Sequence, residues 1–172
     1  MTDSIHIREI NSCSPARFVD LLGGIFEHSP WVAERSQQLR PFESIADLHR
    51  KMSSQVRAAS AGRQLDLLCQ HPELAGKEAD AGSLTEASRQ EQAGAGLNQC
   101  TPEELLRIKH LNQGYRDRFG FPFIIAVTGL DKHQVIAAME QRLEHSVEDE
   151  FETAIAEVEK IGLIRLEALL RE

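Results

Sequence analysis

The sequence predicts an all-α fold, a single compact domain over residues 1–172 with roughly seven to nine helices. Three observations predict it. Cap residues recur along the chain, each followed by apolar side chains at helical spacing. Strand-like runs are almost absent: only PFIIAV, at 122–127, reads as a short buried extended segment. The length, 172 residues, suits one core built from helices of about 11 residues each.

The elements follow in chain order. Ser14-Pro15 supplies an N-cap with proline at the first helical position, and Phe18, Val19, Leu21 and Leu22 follow. Ser44 with Asp47 opens a helix through Ile45, Leu48 and Met52. Leu65, Leu67 and Leu68 mark a helix that ends before His71-Pro72, because proline pushes its predecessor out of the α region. Ser83 with Glu86, and Thr101 with Glu104, match the capping box, and Pro102 stands at N1 of the second. Asp131 precedes Val135, Ile136, Met139 and Leu143, and Ser146 opens a last long helix with Asp149 at N3. Gly23-Gly24, Ser29-Pro30, Arg40-Pro41 and Phe121-Pro122 are the other breaks.

Composition narrows the function classes. Hydrophobic residues at 41% and charged residues at 27% are the values of a globular protein. No apolar run reaches the roughly 18 residues that would read as a membrane helix, so no membrane partner is expected. MTDSIHIREINS lacks an apolar signal core, and the final Leu170-Arg171-Glu172 is no peroxisomal address, so a cytoplasmic location is expected. A net charge of −8 without a Lys/Arg cluster argues against nucleic acid, whose phosphates need a basic face. Cys13, Cys69 and Cys100 are far apart and form no CxxC pair, which suits reduced thiols acting as small core hydrophobes. No HExxH or GxSxG occurs, and no metal site is expected. Gly94-Ala95-Gly96 fails the GxGxxG pattern, because position 99 is Gln.

The compositional anomaly is the glycine-rich portion at 76–96, inside the stretch 71–97, HPELAGKEADAGSLTEASRQEQAGAGL. Small and polar side chains dominate it, so it is either a solvated loop or the wall of a polar pocket. His71, ahead of Pro72, is held by a stiff backbone; taken alone, it reads as a surface histidine at a helix end. Ser88, Glu91 and Gln92 fall at i, i+3 and i+4 and share one face of a helix. Either that face is solvated or the trio faces a ligand. On the last helix the inward stripe reads Phe151, Ile155, Val158, Gly162, Arg165, Leu169. An arginine inside an apolar stripe either snorkels outward or holds a buried partner.

HPELAGK (71–77), SRQEQAGAGL (88–97), LNQGYRDRFGFPFIIAV (111–127) and IGLIRLEALL (161–170) together resemble the 2-oxo-4-hydroxy-4-carboxy-5-ureidoimidazoline (OHCU) decarboxylase family. FVDLLGGIFEHSPWVAE (18–34) and RPF (40–42) resemble it too, so the likeness runs nearly the whole chain. One departure is VAERSQQLRPF after Trp31, where relatives often carry another aromatic; it is expected to touch packing and not chemistry.

The resemblance implies an all-helical homodimer that needs no metal or organic cofactor and takes the small molecule OHCU to (S)-allantoin in urate degradation. It implies catalytic roles for His71, Glu91 and Arg165. It also implies substrate contacts from Pro72, from Ser88, Arg89, Gln90, Glu91 and Gln92, and from Phe123, Ile124, Ile125, Ala126 and Val127. Two rival readings use the same residues. A non-catalytic helical module would bind a small heterocycle without releasing CO2. A structural dimer of helices would tolerate replacement of His71, Glu91 and Arg165.

Overall fold

The structure is a computed structural model that describes residues 3–172. Among the described residues there are ten α-helices: α1 (Ile7–Ser12), α2 (Pro15–Leu22), α3 (Trp31–Ser36), α4 (Ile45–Ala58), α5 (Ala61–Cys69), α6 (Lys77–Asp80), α7 (Glu86–Gly94), α8 (Pro102–Phe119), α9 (Lys132–Arg142) and α10 (Val147–Leu169). A 3-10 turn covers Gln37–Leu39. Among the described residues, strand is confined to a two-residue parallel pair, Ile5–His6 with Leu170–Arg171. The all-α expectation is therefore met, and the count exceeds nine because some helices are short, α1, α3 and α6 having six, six and four residues.

Most caps stand where the sequence places them. Ser14, Ser44, Thr101 and Asp131 each accept from a backbone N–H in the first turn, and Thr101–Glu104 closes a full capping box. Ser146 Oγ accepts from Asp149 N at 3.1 Å. One cap differs: α7 starts from Thr85, whose hydroxyl accepts from Ser88 N, and not from Ser83. Ser83 instead turns back, its N–H and hydroxyl both reaching the Glu78 carbonyl. Residues 122–127 are irregular and mostly buried, and join no ladder.

The chain packs as two compact units. One comprises Met1–Gln70 with Val158–Glu172, the other His71–Glu157. In the first, Phe18, Leu22, Phe26, Val32, Leu48, Met52, Val56 and Leu166 are buried, and Phe18 stacks on Phe42 with centroids 6.0 Å apart. Gly162 lets the Phe26 ring approach, since a Cβ there would lie 3.3 Å from Phe26 Cζ. In the second unit the core is an aromatic cluster. Tyr115 packs against Phe119, Phe121 and Phe123 at 4.6, 5.7 and 5.4 Å, and Phe121 meets Phe151 edge-on. Such tilted and edge contacts suit the ring quadrupoles.

The cysteines depart from expectation. Cys69 is exposed and Cys13 and Cys100 are only half-buried. Cys69 ends α5, where its neighbour Gln70 is also exposed, so the helix turns the thiol outward while Leu67 and Leu68 face the core.

Candidate active site

The polar stretch at 71–97 is only partly solvated: His71, Leu74, Ala75, Gly76, Ser88, Gln92, Ala95 and Leu97 are buried, while residues 80–83, Glu86, Arg89 and Gln90 are exposed. His71 follows the C-cap of α5 and is buried, with only 6% of its surface exposed. That excludes the surface-histidine reading. Residues 73–76 then turn tightly: Ala75 takes a positive φ of 47°, and a Cβ on Gly76 would sit 2.5 Å from Glu73 Cβ. Glycine is the residue that permits this approach.

Two amide side chains hold the turn. Gln92 Oε1 accepts from the buried Ala75 N–H at 2.9 Å, and its Nε2 reaches the Glu73 carbonyl at 3.5 Å. Asn112 Nδ2, from α8, donates to the Leu74 carbonyl at 3.0 Å. The Glu73 carboxylate lies 3.2 Å from Arg116 Nε, and Glu73 N donates to Glu78 at 3.1 Å. The backbone after His71 is thus tied to α6, α7 and α8.

On α7 the face sorts by position. Ser88 and Gln92, one turn apart, are buried, and Glu91 is half-buried beside them. Arg89 and Gln90 are exposed, and both bind Glu86: Arg89 through Nε and Nη2 at 3.0 and 2.6 Å, Gln90 through Nε2 at 2.6 Å. Arg89 holds the Glu86 carboxyl below its usual range. Within the second unit His71, Ser88 and Gln92 are thus buried and Glu91 is half-buried. The side chains of Arg89 and Gln90 are engaged on the outer side of the same helix. Phe123, Ile124 and Val127 are buried, while Ile125, Ala126 and Pro72 are half-buried. Among the described residues, no three His, Cys, Asp or Glu side chains gather in a group able to hold a metal ion.

Arg165 lies in the first unit, and it does not snorkel. It is 8% exposed, and its Nη1 stands 2.7 Å from Glu27 Oε2, itself 1% exposed. The same nitrogen reaches the Gly24 carbonyl at 3.3 Å and the Ile25 carbonyl at 3.5 Å. Sequence reasoning missed Glu27. The missed signal was an acid in the apolar run Gly24-Ile25-Phe26-Glu27, which needs a cation once buried.

With this geometry in place, comparison with known proteins is decisive. The family model described as OHCU decarboxylase matches residues 11–167. The chain belongs to the OHCU decarboxylase family. A 2-oxo-4-hydroxy-4-carboxy-5-ureidoimidazoline decarboxylase of Halalkalicoccus jeotgali is 42% identical over 163 residues, covering 95% of this chain and 90% of that one. The uric acid degradation bifunctional protein PucL of Bacillus subtilis is 43% identical over 164 residues, 95% of this chain but 32% of that protein. The chain thus spans about a third of the bifunctional relatives it matches. A crystal structure of (S)-allantoin synthase superposes with a TM-score of 0.78 at 36% identity, over 97% of this chain and 54% of that one. A structure of OHCU decarboxylase in the presence of (S)-allantoin gives 0.70 at 20% identity, a likeness of fold. Among the described residues, no helix of this family member is long and apolar enough to cross a membrane.

Proposed function

We propose that this protein is a carboxy-lyase that decarboxylates OHCU to (S)-allantoin in urate degradation, acting as a cytoplasmic homodimer over one domain, residues 1–172. The observation that carries the reading is the family match across residues 11–167, joined to 42% identity with a decarboxylase of nearly the same length.

Loss of CO2 leaves an electron pair behind. The ring of OHCU can take up that pair in its own conjugated C=N and carbonyl system, so the chemistry needs no organic cofactor as a sink. The protein's tasks are then orientation, charge placement and proton delivery. In this reading His71 contacts the end of the substrate bearing the 4-hydroxyl and carboxylate and promotes C–C cleavage. Glu91 works with His71 to manage the proton, which reaches one face of the carbanion and sets the (S) centre. Arg165 holds the ring through its forked donors. Pro72, Ser88 and Gln92 and the segment 123–127 bind and orient the ring. Arg89 and Gln90 take part less directly, since both side chains are bound to Glu86.

The test generates OHCU in place from urate with urate oxidase and hydroxyisourate hydrolase, and follows circular dichroism of the allantoin formed. The substrate also decays by itself to racemic allantoin, so stereochemistry reads more sharply than yield. A fast rise to a strong (S) signal supports the reading, and a trace identical to the blank refutes it. His71→Asn and Glu91→Gln should each lower kcat by about 10²- to 10⁴-fold, the range of general acid–base catalysis. Unchanged turnover in either variant removes that residue from the mechanism.

A further inference from the structure

Residues 122–127 have no strand partner, yet in the reading above they must hold a ring to within a fraction of an ångström. Ala126 N–H donates to Glu157 Oε2 at 3.4 Å, and the Ile124 carbonyl and Phe123 ring meet a buried polar cluster at the junction of α9 and α10.

Arg142 ends α9 and is buried. Its Nη1 donates to the Ile124 carbonyl at 2.7 Å, and its guanidinium carbon lies 4.4 Å from the centre of the Phe123 ring. The opposite edge of the guanidinium is committed to Glu150: Nε stands 2.6 Å and Nη2 2.5 Å from Oε1. Glu150, in the first turn of α10, is 0% exposed. Its Oε1 also accepts from Tyr115 Oη at 2.6 Å, and its Oε2 stands 2.9 Å from His145 Nδ1. Burial and the carboxylate beside it push the Tyr115 hydroxyl well above its ordinary range, so it remains a donor to Glu150. The donors of one planar group are thus divided between an immobile carboxylate and a backbone carbonyl.

A buried ion pair is weak evidence for stability, because desolvation offsets most of its attraction and apolar replacements are often neutral. A methionine and a glutamine would fill this space. What they would lose is the fork that binds Glu150 and Ile124 at once and stands over the Phe123 ring. We propose that Arg142, fixed by Glu150, is a positioning residue that sets the backbone and ring of Phe123-Ile124 for the substrate. The proposal rests on the reading that residues 123–127 meet the substrate.

The test uses the full chain and the double variant Arg142→Met with Glu150→Gln, which removes both charges and leaves no buried ion alone. Arg142→Lys and Tyr115→Phe are made beside it. Thermal unfolding reports the fold, amide hydrogen exchange reports residues 123–128, and KM and kcat are read on OHCU generated in place. The expected result is a double variant that still unfolds cooperatively within several degrees of the parent. Its exchange at 123–128 rises about tenfold or more while α8 and α10 remain protected, and its KM rises about tenfold with a smaller change in kcat. Lysine reaches only one of the two partners, so Arg142→Lys should fall between parent and double variant. Tyr115→Phe keeps the fork and should change KM less than twofold or so.

A folded double variant with unchanged exchange overturns the proposal. So does one whose exchange rises while KM stays at the parent's value, because the segment would then be loosened without serving the substrate. Should the double variant fail to fold, Arg142→Lys decides by the same two readouts. A parent that does not decarboxylate OHCU would refute the activity reading instead, and the exchange readout would then decide alone whether Arg142 sets the segment.

Discussion

Arg165 and Glu27 show how a single buried charge changes what a mutation can report. The pair lies in the first unit with 8% and 1% of its side-chain surfaces exposed. Removing only the arginine strips a buried carboxylate of its guanidinium, and broken buried pairs of this kind cost about 3–5 kcal/mol. Arg165→Met should therefore lower the urea midpoint sharply, whatever Arg165 does for the substrate. The double variant Glu27→Gln with Arg165→Met should recover most of the loss, since no uncompensated ion remains. It is the better probe of function. If Arg165 grips the ring, the double variant should show KM raised by about tenfold or more at near-parent stability. Parent-like KM in that variant would confine Arg165 to packing. Gly162, one turn before it, belongs to the same packing, because Phe26 occupies the space a methyl group would need.

Helix α7 carries two jobs on two faces. Its buried face clamps the turn after His71 through Gln92, while its exposed face carries the Glu86–Arg89–Gln90 network. Gln92→Leu leaves the Ala75 N–H buried without an acceptor, a defect of about 1–3 kcal/mol. Turnover should fall with stability, because the turn places His71. Arg89→Ala and Gln90→Ala should each change stability by no more than about 0.5 kcal/mol, as surface substitutions usually do. Thermal unfolding and the dichroism assay separate the two faces; a strong activity loss in Gln90→Ala would return that residue to the substrate. Much of this element was legible beforehand. The i, i+3, i+4 spacing of Ser88, Glu91 and Gln92 marked a shared face, and capping signals located α2, α4, α8, α9 and α10. The start of α7 was misplaced because Ser83 and Thr85 carry equivalent hydroxyls, and the choice falls to Ser83's bond with the Glu78 carbonyl. Glu27, Asn112 and the pairing of Ile5–His6 with Leu170–Arg171 were not legible at all. Their partners lie far away in sequence, and local spacing carries no record of them.

Each of the two compact units holds a carboxylate far below its ordinary range, Asp47 in one and Glu104 in the other, and these should contribute to the acid limb of stability. In the first unit Asp47 accepts from the Glu43 N–H and binds Lys51 and Arg50, which lowers its pKa from 3.8 to about 2. In the second, Glu104 binds Lys132 and accepts from Thr101 N, falling from 4.5 to about 2. Both groups are charged in the folded chain where the unfolded chain already takes up protons. Their stabilisation is therefore complete above about pH 5 and disappears as pH falls towards 2. The alkaline limb has the opposite sign. Burial raises the Cys100 thiol above 9.0 and the Tyr115 hydroxyl above 10.0. The unfolded chain releases those protons first, so stability should decline from about pH 9 upward. Urea midpoints measured across pH should trace a plateau between these limbs. Asp47→Asn and Glu104→Gln should each lower the plateau and flatten the acid limb, while Tyr115→Phe should flatten the alkaline one. An acid limb equally steep in the Asp47→Asn and Glu104→Gln double variant would mean that other carboxylates govern acid unfolding, and that the capping and lysine contacts at these two sites contribute little.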